Sequence, residues 1–282
     1  RRNIMGKNWI ESTFHTKKAV IGLVHMQPLP GDPYYDEKGG MEKVIEMARH
    51  DVRCLQEGGV DGLLFSNEFS TPYLSKVGPE TVAAMAYVMG ALKDEIKLPY
   101  GNDCISDDMA SISLASATGA LFTRGVFHGT WATSAGLCNS DGGGAVRLKH
   151  QLSIPDFKLV HYLMPESSAD LGCRDAISIM KPTYFLDRPD AIAVAGMVAG
   201  QKADANVMKK CREAFPDAII FAATGVRINN VQDYMDTVDG FFIGTGFKRD
   251  GGFRNEIDQN RVSEFMNKVK ELRKKYDEDC NL

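Results

Sequence analysis

Eight short apolar runs, separated by longer amphipathic or alanine-rich stretches, constrain the fold of this chain more than any other feature. Short apolar runs bounded by glycine or polar residues are typical of parallel strands that are buried on both faces. We number the runs as predicted strands one to eight. They are Ala19–His25, Gly62–Ser66, Leu98–Asn102, Leu121–Gly125, Lys158–Leu163, Ala191–Val194, Ala218–Ala222 and Gly240–Ile243.

Seven further stretches have the spacing or composition of helices. They are Met41–Glu57, Pro79–Glu95, Asp107–Ala117, Leu171–Met180, Asp204–Phe215, Val231–Met235 and Arg261–Tyr276. Strands that alternate with helices predict an α/β fold, and eight of them favour a closed barrel over an open doubly wound sheet. The chain has 282 residues, close to the roughly 250 of a typical TIM barrel. We predict a single (β/α)8 TIM-barrel domain over 1–282, with an extension at 1–18, the barrel at 19–276 and a tail at 277–282.

Composition and charge exclude several classes of protein. The net charge is −4 and the pI about 5.9, without a basic stripe, so nucleic-acid binding is not predicted. Six scattered cysteines favour free thiols in a reducing compartment. The sequence has no transmembrane run and no signal peptide, and we expect a cytoplasmic protein. Self-association as a homo-oligomer is a further expectation, since barrels of this kind commonly self-associate.

Several well-known catalytic motifs are missing from the places where they would be needed. We find no GxGxxG, Walker A, HExxH or GxSxG pattern there, which argues against a Rossmann dehydrogenase, a P-loop NTPase, a zincin and an α/β-hydrolase. Two long loops instead follow strands one and four, over 26–40 and 126–144. Both would lie at the carboxyl ends of the strands, where TIM barrels carry their sites, so we predict lids or binding loops. The three glycines at 142–144 could instead be slack.

Two glycine-rich turns follow predicted strands seven and eight. Glycine lets the backbone approach an anion closely, and adjacent loops at these two strands commonly hold a phosphate in this fold. The residues predicted to bind phosphate are Thr224, Gly225, Gly244, Thr245 and Gly246, with Lys248 as a nearby cation. The alternative is that two strands simply end in glycine turns.

Polar residues stand at the ends of the first five predicted strands. They are His25 and Gln27, Asn67 and Glu68, Asn102 and Asp103, Arg124, His161 and Glu166. Each alone could cap a turn or satisfy the core, but TIM barrels build active sites from the ends of several strands. We predict Glu68, Asp103, His25 and Asn102 to be catalytic, and Asn67, Arg124 and His161 to bind substrate.

The chemistry expected of this set is proton transfer. A desolvated carboxyl group such as that of Glu68 or Asp103 has a raised pKa, which suits a general base. Arg124 could pair with a substrate carboxylate or phosphate. No lysine ends strand five or six, and Lys202 is the only near candidate, so a Schiff-base aldolase is disfavoured. No cofactor is certain, although a divalent metal ion on Glu68, Asp103 and His25 is conceivable.

The segment Ala19–Tyr35, with its Pro-Leu-Pro-Gly run, resembles the opening of the BtpA/SgcQ family. The resemblance continues through Gly58–Glu68, Asn102–Asp103 and Gly244–Gly251, and it spans nearly the whole barrel. It implies a phosphate-binding TIM barrel. The turn at 195–200 is similar to a small-residue turn of that family, with alanine replacing threonine twice, and on this basis Gly196 is assigned to substrate binding.

Two functions stay open at this point. The residues favour an enzyme acting on a phosphorylated small molecule, a sugar phosphate, as an isomerase, epimerase or aldolase-like lyase. The resemblance also implies a second function, because cyanobacterial members of the family are linked to photosystem I biogenesis and bacterial members to sugar metabolism. The alternative is therefore a non-catalytic ligand-binding or assembly factor.

Overall fold

Eight parallel strands form the barrel in the computed structural model, which describes residues 8–196 and 204–278. The strands of these residues, in chain order, are β1 (Ala19–His25), β2 (Gly62–Ser66), β3 (Tyr100–Asp103), β4 (Phe122–Gly125), β5 (Thr130–Thr133), β6 (Gly136–Asn139), β7 (Lys158–Tyr162), β8 (Ser168–Asp170), β9 (Ala191–Val194), β10 (Ile220–Ala222) and β11 (Gly240–Ile243). The barrel order is β3-β2-β1-β11-β10-β9-β7-β4. The two end strands meet where the N–H of Leu121 donates to the carbonyl of Tyr100 at 2.8 Å. The predicted TIM barrel is confirmed.

Helices cover the outside of the barrel, except for the first, which packs against the amino-terminal end of the barrel interior. They are α1 (Trp9–Phe14), α2 (Gly40–Gly58), α3 (Pro79–Ala91), α4 (Asp108–Thr118), α5 (Gly142–Gln151), α6 (Ala176–Pro182), α7 (Ala205–Ala214) and α8 (Gln259–Glu278). A π-helical turn at Thr183–Asp187 extends α6, and short 3-10 helices lie at Val231–Asp233, Thr245–Phe247 and Arg249–Gly251. Among the residues with an assigned conformation, no helix is both long and apolar enough to cross a membrane.

The sequence-based prediction did not include α1 and α5, and it made two other helices too long. The glycines at 142–144 are the first turn of α5 and not slack, because the Asp141 carboxylate accepts a hydrogen bond from the N–H of Gly144 at 2.7 Å and caps the helix. The predicted helix at Val231–Met235 is a single 3-10 turn, and the one at Leu171–Met180 begins only at Ala176.

The long loop after β4 contains structure that the sequence did not predict. Its strands β5 and β6 form an antiparallel hairpin, and β8 pairs with the other edge of β5. The Trp131 side chain on β5 is fully buried, and its indole N–H donates to the carbonyl of His128 at 2.8 Å. This small sheet fixes the segment that leads into and out of β7.

The amino-terminal end of the barrel is filled by aromatic rings. The Phe14 ring of α1 packs edge-on against Phe122 of β4, with 5.8 Å between centroids. Glycines on neighbouring strands leave room for these rings, since a Cβ at Gly62 would lie 2.6 Å from Phe14 and one at Gly240 would lie 2.4 Å from Phe221. The indole N–H of Trp9 donates to the carbonyl of Asp190 at 2.9 Å. This packing leaves the carboxyl end as the open end of the barrel.

Candidate functional site

A cavity occupies the open end of the barrel, at the carboxyl ends of the strands. Its walls come from the end of β1, the loop after β2, β4, the loop after β7, and the loops after β10 and β11. The polar groups that reach it from the strand side are His25, Glu68, Arg124 and Glu166. The barrel therefore brings four members of the predicted polar set to one place.

Asp103 and Arg124 form a buried ion pair at the rim of this cavity. The Arg124 Nε donates to Asp103 Oδ2 at 3.1 Å. The guanidinium carbon lies 5.4 Å from the centre of the Tyr162 ring and 5.3 Å from that of Phe242. Arg124 Nη1 is buried and has no hydrogen-bond partner in the described part of the chain. One donor of the guanidinium is therefore left for a ligand.

The surroundings of Asp103 and Arg124 determine whether each side chain is charged. Burial raises the pKa of Asp103, and the Arg124 guanidinium opposes that rise. Burial also opposes the charge on Arg124, but Tyr162, Asp103 and the nearby glutamates raise the pKa of its guanidinium. Arg124 therefore stays cationic throughout the physiological range.

Glu68 and Glu166 are the carboxyl groups of the cavity that no cation of the described residues neutralises by a direct contact. Glu68 Oε2 lies 3.8 Å from the Nε2 atom of His25 and accepts a hydrogen bond from Ser66 Oγ at 3.4 Å. Burial raises the pKa of Glu68, although the Arg124 charge lowers it. Burial also raises the pKa of Glu166, to about 7. A carboxyl group with a pKa near neutrality, as that of Glu166 has, suits both removal and return of a proton.

His25 contributes a neutral imidazole. Burial lowers the pKa of His25 well below its usual value, and the charges of Lys248 and Arg124 lower it further. Neither ring nitrogen has a hydrogen-bond partner among the described residues. The Phe69 and Phe253 rings each lie 5.8 Å from the imidazole centroid, so the ring is held by packing. A neutral imidazole can donate one hydrogen bond and accept another.

The glycine turns after β10 and β11 line the opposite side of the cavity. Gly225 has a φ of +65°, and its carbonyl accepts a hydrogen bond from Asn230 Nδ2 at 3.0 Å. A Cβ at Gly246 would lie 2.9 Å from the carbonyl oxygen of Val226, so the two turns approach each other closely. Within the described ranges, the N–H groups of Gly225, Thr245 and Gly246 donate to no protein acceptor. The three residues line the cavity, as does Arg227.

Two further predicted residues support these turns. The backbone N–H of Gly196, which follows β9, donates to the hydroxyl of Thr224 at 2.5 Å. Lys248 is buried, and its ammonium donates to the carbonyl of Asn255 at 3.0 Å and lies 4.7 Å from the Phe69 ring. Lys248 therefore holds the loop after β11 and does not line the cavity. Residues 197–203, which include Lys202, lie outside the described residues.

Three residues from the predicted set point elsewhere. Asn102 Nδ2 donates to the carbonyl of Ser111 in α4 at 3.1 Å, and Asn67 Oδ1 accepts from the N–H of Ile105 at 2.8 Å. The His161 ring packs against Phe127, with 4.7 Å between centroids. Side chains alternate along a strand, so the inward placement of Asp103 and Tyr162 turns their neighbours Asn102 and His161 towards the outer layer.

Sequence reasoning gave no role to four residues of the site. The inward direction of Tyr162 could have been inferred from the two-residue period of a strand, since Val160, two residues earlier in β7, also faces the barrel interior. Glu166 was noted as polar, but nothing in a loop sequence tells which way its side chain points. Arg227 and Phe253 lie in loops without periodicity, and no sequence signal indicated them.

The metal site considered from the sequence is not assembled. In the ranges 8–196 and 204–278, no three His, Cys, Asp or Glu side chains converge as metal ligands. Asp103 is held by Arg124 instead. The five cysteines in these ranges are free thiols.

A second cleft of about 730 Å³ lies outside the barrel mouth. The loop after β1 forms one wall with Tyr34 and Tyr35, while Phe69 and Arg254 form another. The Phe69 ring meets the Phe253 ring edge-on at 5.4 Å between centroids. Because Phe253 lines the barrel cavity, this pair of rings separates the two spaces.

The fold and the cavity define a TIM-barrel protein whose candidate site lies at the carboxyl ends of its strands. The chain belongs to the BtpA family, whose model matches residues 16–271. The resemblance found in the sequence is thereby confirmed.

Relatives and solved structures agree with this assignment. The chain is 43% identical to the putative sgc region protein SgcQ of Escherichia coli, covering 95% of this chain and 100% of that protein. It is 28% identical to the photosystem I biogenesis protein BtpA of Synechocystis, covering 92% of this chain and 90% of the relative. The fold is similar to that of N-(5'-phosphoribosyl)anthranilate isomerase from Pyrococcus furiosus, with a TM-score of 0.54, 10% identity, and coverage of 90% and 99% of the two chains.

Proposed function

We propose that this protein is an enzyme that acts on a phosphorylated small molecule, a sugar phosphate, by proton-transfer chemistry. One observation carries the proposal. The unused N–H groups of Gly225, Thr245 and Gly246 share a cavity with two carboxyl groups, those of Glu68 and Glu166, whose pKa values are raised. Backbone donors at such turns bind phosphate, and carboxyl groups whose pKa is raised by burial are suited to move protons.

The arrangement suggests how the residues divide the work. The phosphate binds at the turns after β10 and β11, with Arg227 as an additional cation. Arg124 Nη1 and the neutral His25 ring donate to the carbonyl oxygen of the substrate and stabilise the charge that develops there. Glu68 or Glu166 removes the proton from the adjacent carbon and returns it. Isomerisation, epimerisation and aldol cleavage all proceed through such a step.

The comparisons give this proposal outside support. The isomerase from Pyrococcus furiosus has a name that includes a phosphoribosyl group, and it shares the barrel fold. The fold alone does not define a reaction, since one barrel carries many chemistries. The side chains of the cavity are what favour proton transfer.

A thermal-shift screen of the full chain against sugar phosphates and inorganic phosphate tests the proposal. A ligand at 100 times its dissociation constant stabilises the fold by about 2.7 kcal/mol, which raises the melting temperature by several degrees. We expect such a shift, and we expect Gly246→Asp to abolish it, because its Cβ crowds the Val226 carbonyl and its carboxylate repels the phosphate. Gly90→Ala is the matched control, because a Cβ at Gly90 on α3 meets nothing within 4 Å. If none of the phosphorylated ligands raises the melting temperature, the proposal is wrong.

A second candidate function is an assembly factor that keeps the pocket without turnover. The adjacent side chains of Phe185 and Leu186 favour it, since they are 76% and 70% exposed on the π-helical turn after α6. Exposed neighbouring apolar side chains are common at protein–protein contacts. Full cellular function of a Glu68→Gln variant, together with its loss in Phe185→Ser, would favour this candidate. Self-association and a cytoplasmic location stay predictions.

A further inference from the structure

We propose that the end of the substrate opposite its phosphate is uncharged, so that the site takes aldose or ketose phosphates and rejects phosphorylated sugar acids and amino sugars. This inference rests on the proposed function and narrows its substrate class. It follows from the charges and from the unused hydrogen-bonding atoms on the strand side of the cavity.

The strand side of the cavity has more carboxyl groups than cations. Its one guanidinium, that of Arg124, is already paired with Asp103 at 3.1 Å. Glu68 and Glu166 remain, and neither makes a direct contact with a cationic side chain of the described residues. The charge of Arg124 acts on both groups, and it is opposed by Asp103 at both and by Glu68 at Glu166. Lys248 does not compensate them by contact, since its ammonium is bound to the carbonyl of Asn255. At pH 8, above the pKa of about 7 of Glu166, a carboxylate on the substrate would meet the like charge of this group, which disfavours its binding.

The unused atoms match a hydroxyl group beside a carbonyl group. Arg124 Nη1 and both ring nitrogens of His25 are buried without partners in the described part of the chain. Arg124 Nη1 and one nitrogen of the His25 ring are donors. The other ring nitrogen is an acceptor, because a neutral imidazole donates from only one nitrogen. A carbonyl oxygen accepts from the donors, and a hydroxyl group both donates and accepts. A carboxylate only accepts, so it would leave the imidazole acceptor unsatisfied.

An ammonium group fits these atoms no better. It only donates, so it would satisfy the glutamates but would face the guanidinium of Arg124 and leave its free Nη1 donor unused. A neutral hydroxy-carbonyl end is the group that uses donors and acceptors together.

The opposite side of the cavity has the reverse character. The N–H groups of Gly225, Thr245 and Gly246 have no protein acceptor among the described residues, and Arg227 lines the same part of the cavity. No carboxylate lines the turns after β10 and β11 in the described cavity wall. One end of the site thus favours an anion while the other end disfavours one. A substrate with a single anionic group is oriented by this difference.

Isothermal titration of the full chain with matched ligands tests the inference. The ligand pairs are dihydroxyacetone phosphate with phosphoglycerate, and fructose phosphate with phosphogluconate, while glucosamine phosphate and inorganic phosphate complete the set. At pH 8 we expect the neutral member of a pair to bind at least about tenfold more tightly than the acid, a difference of about 1.4 kcal/mol. Glucosamine phosphate should bind more weakly than fructose phosphate.

Charge-neutralising variants separate electrostatics from shape. In the double variant Glu68→Gln and Glu166→Gln, the affinity for the acid should rise about tenfold relative to that for the neutral partner. Glu42→Gln on the exposed face of α2 is the control and should leave the ratio unchanged. A ratio that the double variant does not alter would overturn the inference.

The outcomes distinguish this inference from the proposed function. If neither the sugar phosphates nor inorganic phosphate bind, the proposed function fails. If acids or amino sugars bind as tightly as their neutral counterparts, the proposed function stands and the uncharged end is refuted.

Discussion

The ion pair between Asp103 and Arg124 joins the two strands at which the barrel closes. Asp103 is the last residue of β3, and Arg124 lies in β4, with 3.1 Å between Oδ2 and Nε. These strands meet through the hydrogen bond from Leu121 to the Tyr100 carbonyl. A contact that shapes the candidate site therefore also spans the seam of the barrel.

We predict that Asp103→Asn destabilises the fold by about 3 kcal/mol, because removing one partner of a buried pair leaves the other charge uncompensated. Urea denaturation measures the change in the free energy of unfolding. Asp36→Asn is the control, since its pair with Lys43 at 2.8 Å is exposed and such pairs contribute little to stability. Equal effects of the two substitutions would contradict a special role for the buried pair.

A second prediction concerns turnover. Once a substrate is found, Glu166→Gln should lower kcat by about 100-fold or more, because an amide cannot accept a proton, while binding of the phosphate group is retained. Steady-state kinetics and inorganic phosphate binding are the measurements. Glu166→Asp, which keeps the carboxyl group, should retain more activity than the glutamine variant. A fully active Glu166→Gln would leave Glu68 as the proton-transfer group.

The same carboxyl group predicts a dependence of activity on pH. The pKa of Glu166 is raised to about 7, and a general base is active only when ionised. We therefore expect kcat/KM to rise as the pH increases through about 7 and then to level off. A profile that is flat between pH 6 and 8, roughly one unit on either side, would exclude Glu166 as the base.

The contribution of Glu166 to the free energy of unfolding should fall as the pH rises, whereas kcat/KM should rise. A folded-state pKa raised from 4.5 to about 7 means that the folded protein holds this proton more tightly than the unfolded chain. The stabilisation is complete below the unfolded pKa and is lost as the pH rises through about 7. Glu166→Gln should therefore stabilise the protein by about 3 kcal/mol at pH 8 and change little near pH 4, as measured by chemical denaturation. Destabilisation at pH 8 would indicate that the ionised carboxylate is favourably bound.

The filled end of the barrel gives a further prediction. Phe14→Ala should lower the free energy of unfolding by about 3–5 kcal/mol, because it leaves a hole among Phe122 and its neighbours. The affinity for phosphate at the other end should not change. Phe185→Ala, at a side chain that is 76% exposed, is the control and should lie within about 0.5 kcal/mol of the parent protein. A loss of ligand affinity in Phe14→Ala that persists under stabilising conditions would contradict the separation of the two ends.

The barrel could be predicted because buried parallel strands leave a strong apolar signal. The predicted bounds of β1, β2, β9 and β11 are those observed. The missed helices lack that signal for identifiable reasons. The start of α5 is three glycines, which do not predict a helix, and the helix is capped by Asp141. The helix α1 has only six residues and is stabilised by the barrel interior.

The candidate site could be predicted only in part, because position along a strand is readable while side-chain direction in a loop is not. Asp103 and Arg124 stand at strand ends and were found. Asn102 and His161 stand beside inward-facing residues, and the two-residue period of a strand would have placed them outside. Arg227 and Phe253 reach the cavity through loop conformations that tertiary contacts decide.

The packing of α1 has a consequence for the order in which the chain is synthesised. Trp9 lies 6.2 Å from Phe221, between ring centroids, so the earliest described helix rests on a strand that is made more than 200 residues later. During translation, Phe122 of β4 is the first of these aromatic partners to be made, and the docking surface of the helix is complete only after β10 has left the ribosome. Part of its apolar face stays uncovered while most of the polypeptide is being made. The amino-terminal end of the barrel is therefore completed late in synthesis. A prematurely terminated chain leaves the apolar side chains of α1 exposed.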